Sequence, residues 1–279
     1  MADARSLFGP KNSTISSLLN SLAALYDHIG EHEKSITTSL KSIAMDKEIL
    51  GEFHINIAHS YHNLSMTYRH INEWNNAEQC SLQAIRIKER ILGTDNYEVA
   101  ITRAVLGEIY REQGKYDKAL PLHQQYLECY INTIGENAYV ACILAGIGSD
   151  YEGTENYPSA LEYYLKALAV DEKYSGRAHH QYYNAVGNAL YYLDRYEDAI
   201  HYFQEGLAIA EQEREEYAMS IFYFCIGDSH GFLGRFEDAL SSFEKALEIR
   251  ERILPPGDKR IEQCREYIRR AENAINPDE

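Results

Sequence analysis

Between Ala58 and Leu92 the apolar residues fall into two periodic runs separated by a polar break. In "AHSYHNLSMTYRHI" the residues Tyr61, Leu64, Ser65 and Tyr68 recur at spacings of three and four, which places them on one face of a helix. After "NE", the stretch "WNNAEQCSLQAIRIKERIL" carries Trp74, Ala77, Ser81, Ala84, Ile85 and Leu92 on one face of a second helix. No stretch of the chain alternates with period two. The pattern predicts an all-α protein.

The same two-helix unit is written six times. The small residue near the start of the second helix stands at Ser35, Ala77, Ala119, Ala160, Ala199 and Ala239, in steps of 39 to 42 residues. A second marker keeps the same phase twelve positions earlier: Leu22-Ala23, Leu64-Ser65, Leu106-Gly107, Ile147-Gly148, Val186-Gly187 and Ile226-Gly227. Each is a large aliphatic residue followed by one with little side chain. Two markers that move together define an array of helix hairpins. The break between helices holds Gly30, Asn72, Gly114 or Gly234, residues that accept positive φ at a helix end. Pro158 stands where a second helix begins, a position at which its missing N–H costs nothing. Short side chains at both markers let the two helices approach closely, and stacking each hairpin on the next builds a core that one hairpin cannot.

The order of these residues resembles the tetratricopeptide (TPR) repeat. It reads Leu106, Gly107, Tyr110, Gly114, Tyr116 and Ala119 in the third copy, and Ile226, Gly227, Gly234, Phe236, Ala239, Phe243 and Ala246 in the sixth. Standard TPR units run to about 34 residues. The longer units here, with Leu50-Gly51, Leu92-Gly93 and Ile134-Gly135 at their junctions, are similar to the kinesin-light-chain-like branch of the family. HEAT and armadillo repeats share the period but not the Gly–Tyr–Ala order. The resemblance implies a right-handed α-solenoid of about six hairpins, spanning about 13–51, 52–93, 94–135, 136–175, 176–215 and 216–254. Residues 255–279 are expected to hold a capping helix, with Ile261, Cys264, Ile268, Ala271 and Ile275 on its apolar face. Phe8-Gly9 repeats the junction phase, so residues 1–12 read as the tail of a preceding repeat or a linker, as in a piece of a longer protein.

Composition narrows the function. The 279 residues are 45% hydrophobic and 25% charged, with a formal net charge of −16, which fits a folded chain that repels phosphate backbones. Nucleic acid is therefore not an expected partner. No apolar run reaches the ~18 residues needed to enter a bilayer as a span, so no membrane insertion is expected. The first ten residues lack a signal-peptide pattern, and five scattered cysteines without CxxC spacing point to a reducing, cytoplasmic setting.

Little in the chain suggests chemistry. His54, His59, His62 and His70 crowd the second copy, yet no carboxylate or cysteine stands at matching metal-ligand spacing, so they read as solvated or groove-lining residues. His179-His180 reads the same way. "GIGSD" (146–150) lies at the close-packing phase of a helix and follows no strand, unlike a phosphate-binding loop. No nucleophile–base or paired-carboxylate arrangement is identifiable. The expectation is a non-enzyme with no cofactor and no metal.

The resemblance implies that the first helix of each hairpin lines a concave face where a partner binds. The positions facing inward include Asn20, His59, His62, Asn63, Arg69, Glu108, Arg111, Asn184, Asn188, Tyr191, Phe224 and Asp228. Asn63 matches an asparagine that in TPR proteins commonly bonds a peptide backbone. Amides suit the backbone of an extended peptide, and aromatics suit basic or apolar side chains. Tyr191, Tyr192, Phe224 and Phe232 lie off the repeat motif, and packing against the capping helix is an equal reading of them. Capture of chaperone tails is set aside, because the places that hold Lys and Arg in such proteins are Asn20, Ala24, Asn63, Ile101 and Val105 here. The expected function is a protein–protein interaction scaffold that binds a peptide or partner protein. The alternative is a regulatory or sensor repeat array belonging to a larger enzyme or signalling ATPase.

Overall fold

A computed structural model describes residues 13–276. The Phe8-Gly9 reading falls outside that range. Thirteen helices and no strand occur among the described residues. The chain divides into two compact units, one ending at Gly135 and the other beginning at Glu136. In the first unit α1 (Ser13–His28) pairs with α2 (His32–Leu50), α3 (Ile55–His70) with α4 (Trp74–Leu92), and α5 (Tyr97–Glu112) with α6 (Tyr116–Ile134). In the second unit α7 (Ala138–Gly153) pairs with α8 (Tyr157–Ser175), α9 (His180–Tyr191) with α10 (Tyr196–Glu213), and α11 (Glu216–Phe232) with α12 (Phe236–Ile253). A last helix, α13 (Lys259–Ile275), packs on α12.

All six hairpins turn by the same backbone device. One residue takes positive φ, and the N–H of the next donates to the carbonyl five residues back, closing the first helix. These bonds are Glu31→Tyr26 at 2.8 Å, Glu73→Tyr68 at 2.9 Å, Lys115→Tyr110 at 2.8 Å, Asn156→Tyr151 at 2.9 Å, Arg195→Leu190 at 3.0 Å and Arg235→His230 at 3.0 Å. Gly30, Asn72, Gly114 and Gly234 hold positive φ as their type leads one to expect. Glu155 (φ 59°) and Asp194 (φ 57°) do so as well, although neither residue announces a turn in the sequence. Aspartate tolerates this region, whereas at Glu155 the hairpin geometry overrides local preference.

Close approach within each hairpin rests on volume matching. In the last three hairpins a glycine faces a ring four positions after the small residue of the second helix. A Cβ added to Gly148 would lie 2.6 Å from the ring of Tyr164, and one on Gly227 would lie 2.8 Å from Phe243. Gly187 is held closer still against Phe203. Gly107 meets His123 at 2.5 Å in the same register. The first two hairpins solve the problem with smaller parts, pairing buried Ala23 and Ser65 with the buried serines Ser39 and Ser81 at the ring positions. Between hairpins the device recurs once more, where Gly206 of α10 receives the ring of Phe222 from α11.

The capping helix buries Ile261, Cys264 and Ala271, while Ile268 and Ile275 stay partly exposed. Asp258 caps it by accepting from the Arg260 N–H at 2.9 Å. Beneath it, the buried Arg250 donates to the Arg260 carbonyl at 3.0 Å and lies 4.7 Å over the ring of Phe224.

Gly187→Ala tests the volume matching. Alanine is the better helix former by about 1 kcal/mol, so propensity alone would stabilise. Overpacking against Phe203, which is 1% exposed, should outweigh that gain and destabilise by about 1–3 kcal/mol in denaturant titrations. Adding Phe203→Leu should restore part of the loss. A variant more stable than the parent would refute the packing argument.

Candidate functional site

The second unit concentrates aromatic rings at the ends of its helices. The C-terminal end of α9 supplies Tyr191 and Tyr192, the start of α10 supplies Tyr196, and the end of α11 supplies Phe232. Tyr196 and Phe232 stack at 5.0 Å with 12° between their planes, and Tyr191 meets both edge-on at 5.5 Å. Tyr192 in turn stacks on Tyr157 at 4.7 Å. Such pairs each add about 0.5–1.5 kcal/mol beyond their burial, so the rings form a stiff wall.

One carboxylate is set into this wall. Tyr191 donates its hydroxyl proton to Asp228 at 2.7 Å. Burial raises the Asp228 carboxyl above the ordinary range, opposed by the Tyr191 hydrogen bond and by the charge of Arg270. The Tyr191 hydroxyl is pushed up by burial first and by Asp228 second, so it stays a proton donor at neutral pH. Asp228 and Tyr191 line an open cavity of about 280 Å³ together with Phe232, Phe236, Tyr267 and Arg270. A smaller cavity of about 150 Å³ runs beside it along Asn188, Tyr192 and Phe224. Arg270 at the rim is already paired with Glu266 and lies 5.2 Å over Tyr267.

Four of the sequence-chosen residues thus converge: Asn188, Tyr191, Phe224 and Asp228. Asn184 lies one turn earlier on α9, with its Oδ1 shielded from solvent and unbonded among the described residues. The ring of Phe224 is packed at 5.3 Å from Phe243 and 5.0 Å from Tyr267 of the capping helix, as the packing reading of that residue expects. Tyr267 and Arg270 were not among the chosen residues. They sit on α13, whose repeat-free sequence gives no register to read them by. Phe236 was assigned to the core by its motif position, although it also borders the cavity.

The candidates of the first unit are mostly paired with one another or with near neighbours. Asn63 donates to Asn20 at 3.2 Å, Arg69 to Glu112 at 2.9 Å and Arg111 to Glu108 at 3.2 Å. His59 and the buried Lys88 both engage Glu98, at 3.0 and 3.1 Å. These contacts, with the His59 hydrogen bond first among them, hold the Glu98 carboxyl below its usual range despite burial. His62 is brought down to about 4, chiefly by burial and then by the charges of Lys88 and His59. It is neutral at physiological pH, and its Nδ1 is shielded with no bonding partner among the described residues. A larger cavity of about 550 Å³ opens in this unit along Thr94, Arg103, Gln125 and Cys129, but none of the chosen residues lines it.

The helix array and its motif residues match the models of the tetratricopeptide repeat over residues 13–90, 66–132, 139–212 and 225–258. The chain belongs to the tetratricopeptide repeat family, whose arrays typically serve as protein-interaction scaffolds and are generally non-catalytic. Solved structures agree on the fold at low identity. A kinesin light chain-type protein with nearly identical TPR-like repeats, from Podosopora anserina, is 17% identical with a TM-score of 0.64, over 73% of this chain and 99% of that one. The apo form of RapI is 16% identical with a TM-score of 0.64, over 94% and 99%. A signal transduction ATPase with numerous domains and a tetratricopeptide repeat sensor, from Pyrococcus horikoshii, is 18% identical with a TM-score of 0.76. That match covers 92% of this chain and 38% of the ATPase. No curated protein matches the chain. No helix among the described residues is long and apolar enough to cross a membrane.

The depressed His62 gives the first unit a specific acid sensitivity. The unfolded chain takes up this proton near pH 6.5, whereas the folded chain resists until about pH 4. Stability from this site is therefore complete above pH 6.5 and lost as pH falls from 6.5 to 4. In His62→Gln, the decline of the denaturant midpoint over that window should be shallower than in the parent. Equal declines would remove His62 from the account.

Proposed function

We propose that this chain is a non-catalytic interaction scaffold whose second unit binds an extended segment of a partner protein and seats a basic side chain in the Asp228 cavity. The observation that carries this reading is a half-buried carboxylate at the wall of an aromatic cavity. A cation there gains both the charge of Asp228 and the faces of Phe232, Phe236 and Tyr267. The amide of Asn188, which lines the smaller cavity beside it, suits the N–H and C=O groups of a peptide backbone. The net charge of −16 favours the approach of basic partners and disfavours nucleic acid. Five free thiols fit a cytoplasmic setting.

A second reading makes the array a sensor that restrains a catalytic neighbour. What favours it is the similarity to the tetratricopeptide repeat sensor of the signal transduction ATPase, which extends over 92% of this chain. An ATPase whose turnover changes when the chain is added, with no peptide bound by the chain, would favour this reading over the first.

Peptide-display selection on the chain should enrich a motif containing Lys or Arg. In fluorescence polarisation, Asp228→Asn should weaken the selected peptide by about 10- to 100-fold, the loss expected for a charge-assisted contact. Replacing the peptide's basic residue with norleucine should cost the same, with no further loss when both changes are combined. Selection of purely acidic motifs, or unchanged binding by Asp228→Asn, would overturn the cavity assignment.

A further inference from the structure

The first hairpin junction carries a cluster that no single helix reveals. Asp27 lies in the last turn of α1, His32 opens α2 and His70 closes α3. His32 Nδ1 lies 3.0 Å from Asp27 Oδ1, and His70 Nδ1 lies 3.1 Å from Asp27 Oδ2. One atom from each residue can be chosen so that all lie within 4.8 Å of one another. All three belong to the first unit, and His32 and His70 remain partly open to solvent.

Two junctions of the second unit carry rings at the same two positions. His32 opens the second helix of its hairpin as Tyr157 and Tyr196 open theirs, nine positions after the small residue of the first helix. His70 ends the following first helix at the position of Tyr192 and Phe232, five positions after the small residue. At those two later junctions the equivalent rings stack nearly flat, Tyr157 on Tyr192 at 15° and Tyr196 on Phe232 at 12°. The two imidazoles do not stack. Their centroids are 6.0 Å apart with planes at 54°, and each turns a nitrogen toward the same carboxylate. The junction has exchanged a ring stack for three converging donors.

We propose that Asp27, His32 and His70 form a binding site for a first-row divalent transition-metal ion. Two imidazoles and a carboxylate are a donor set that zinc accepts in sites that keep a coordination position for water. Around a tetrahedral ion with bonds near 2.0–2.1 Å, donor atoms stand about 3.3 Å apart. The 3.0 and 3.1 Å contacts run to different oxygens of Asp27 and one donor atom from each residue lies within 4.8 Å of the others, so an ion would draw the three side chains together, with each coordinating Nδ1 free of its proton. Magnesium and calcium, which prefer oxygen donors, are poor occupants. The ion would tie the first two hairpins together at the position where the last two junctions carry stacked rings.

Zinc titration of the whole chain against a chromogenic chelator tests the proposal, with cobalt as a spectroscopic probe. One equivalent of zinc should bind, raise the thermal midpoint, and resist displacement by millimolar magnesium. Cobalt should give visible absorption of a nitrogen- and oxygen-ligated ion. The double variant His32→Tyr/His70→Phe rebuilds the ring pair of the Tyr196 junction, so it should keep its helical signal while losing affinity by about 100-fold or more. Asp27→Asn should lose affinity similarly, whereas His59→Ala/His62→Ala should keep the site. Absence of saturable binding, as for a triad joined only by hydrogen bonds, would overturn the proposal. So would undiminished binding by both triad variants.

Discussion

The fold depends on two helices meeting closely enough for one side chain to fill the space left by another. A glycine, alanine or serine at the crossing of the first helix sets the distance, and the residue facing it must supply the matching volume. The chain meets this constraint in two ways. Gly148, Gly187 and Gly227 leave room for the rings of Tyr164, Phe203 and Phe243, whereas Ala23 and Ser65 face Ser39 and Ser81. Every other feature, from the six turns to the rings at the hairpin ends, is positioned by these crossings.

The two units use their exposed residues differently as a result. In the first, polar side chains are drawn into pairs such as Arg69–Glu112 and the His59–Glu98–Lys88 group, so most of the groove candidates there already have partners. In the second, ring–ring contacts leave a cavity in which Asp228 is held by Tyr191. Burial raises the cost of a charge that lacks a partner, and the Tyr191 hydroxyl and the charge of Arg270 offset that cost at Asp228.

The helices were legible because the apolar spacing and the Leu-Gly and Ala markers are local, and six copies confirm one another. The turns at Gly30, Asn72, Gly114 and Gly234 were equally plain. Those at Glu155 and Asp194 were less so, since glutamate has no preference for positive φ and aspartate accepts it without requiring it. Of the cavity, Asn188, Tyr191, Phe224 and Asp228 could be chosen by repeat register. Tyr267 and Arg270 could not, because α13 lies outside the repeat and its contribution depends on how it docks.

By itself, then, the sequence determined that the chain is a helical repeat array, where its helices run and which residues share a face. Those properties follow from periodicity and side-chain size, which act over a few residues. The tertiary structure decided which faces close on themselves and which stay open. It paired Asn63 with Asn20, packed Phe224 under the capping helix, and turned His32 of the same hairpin and His70 of the next repeat toward Asp27. Donor convergence and cavity shape depend on distances between residues remote in the chain, and only packing sets those distances.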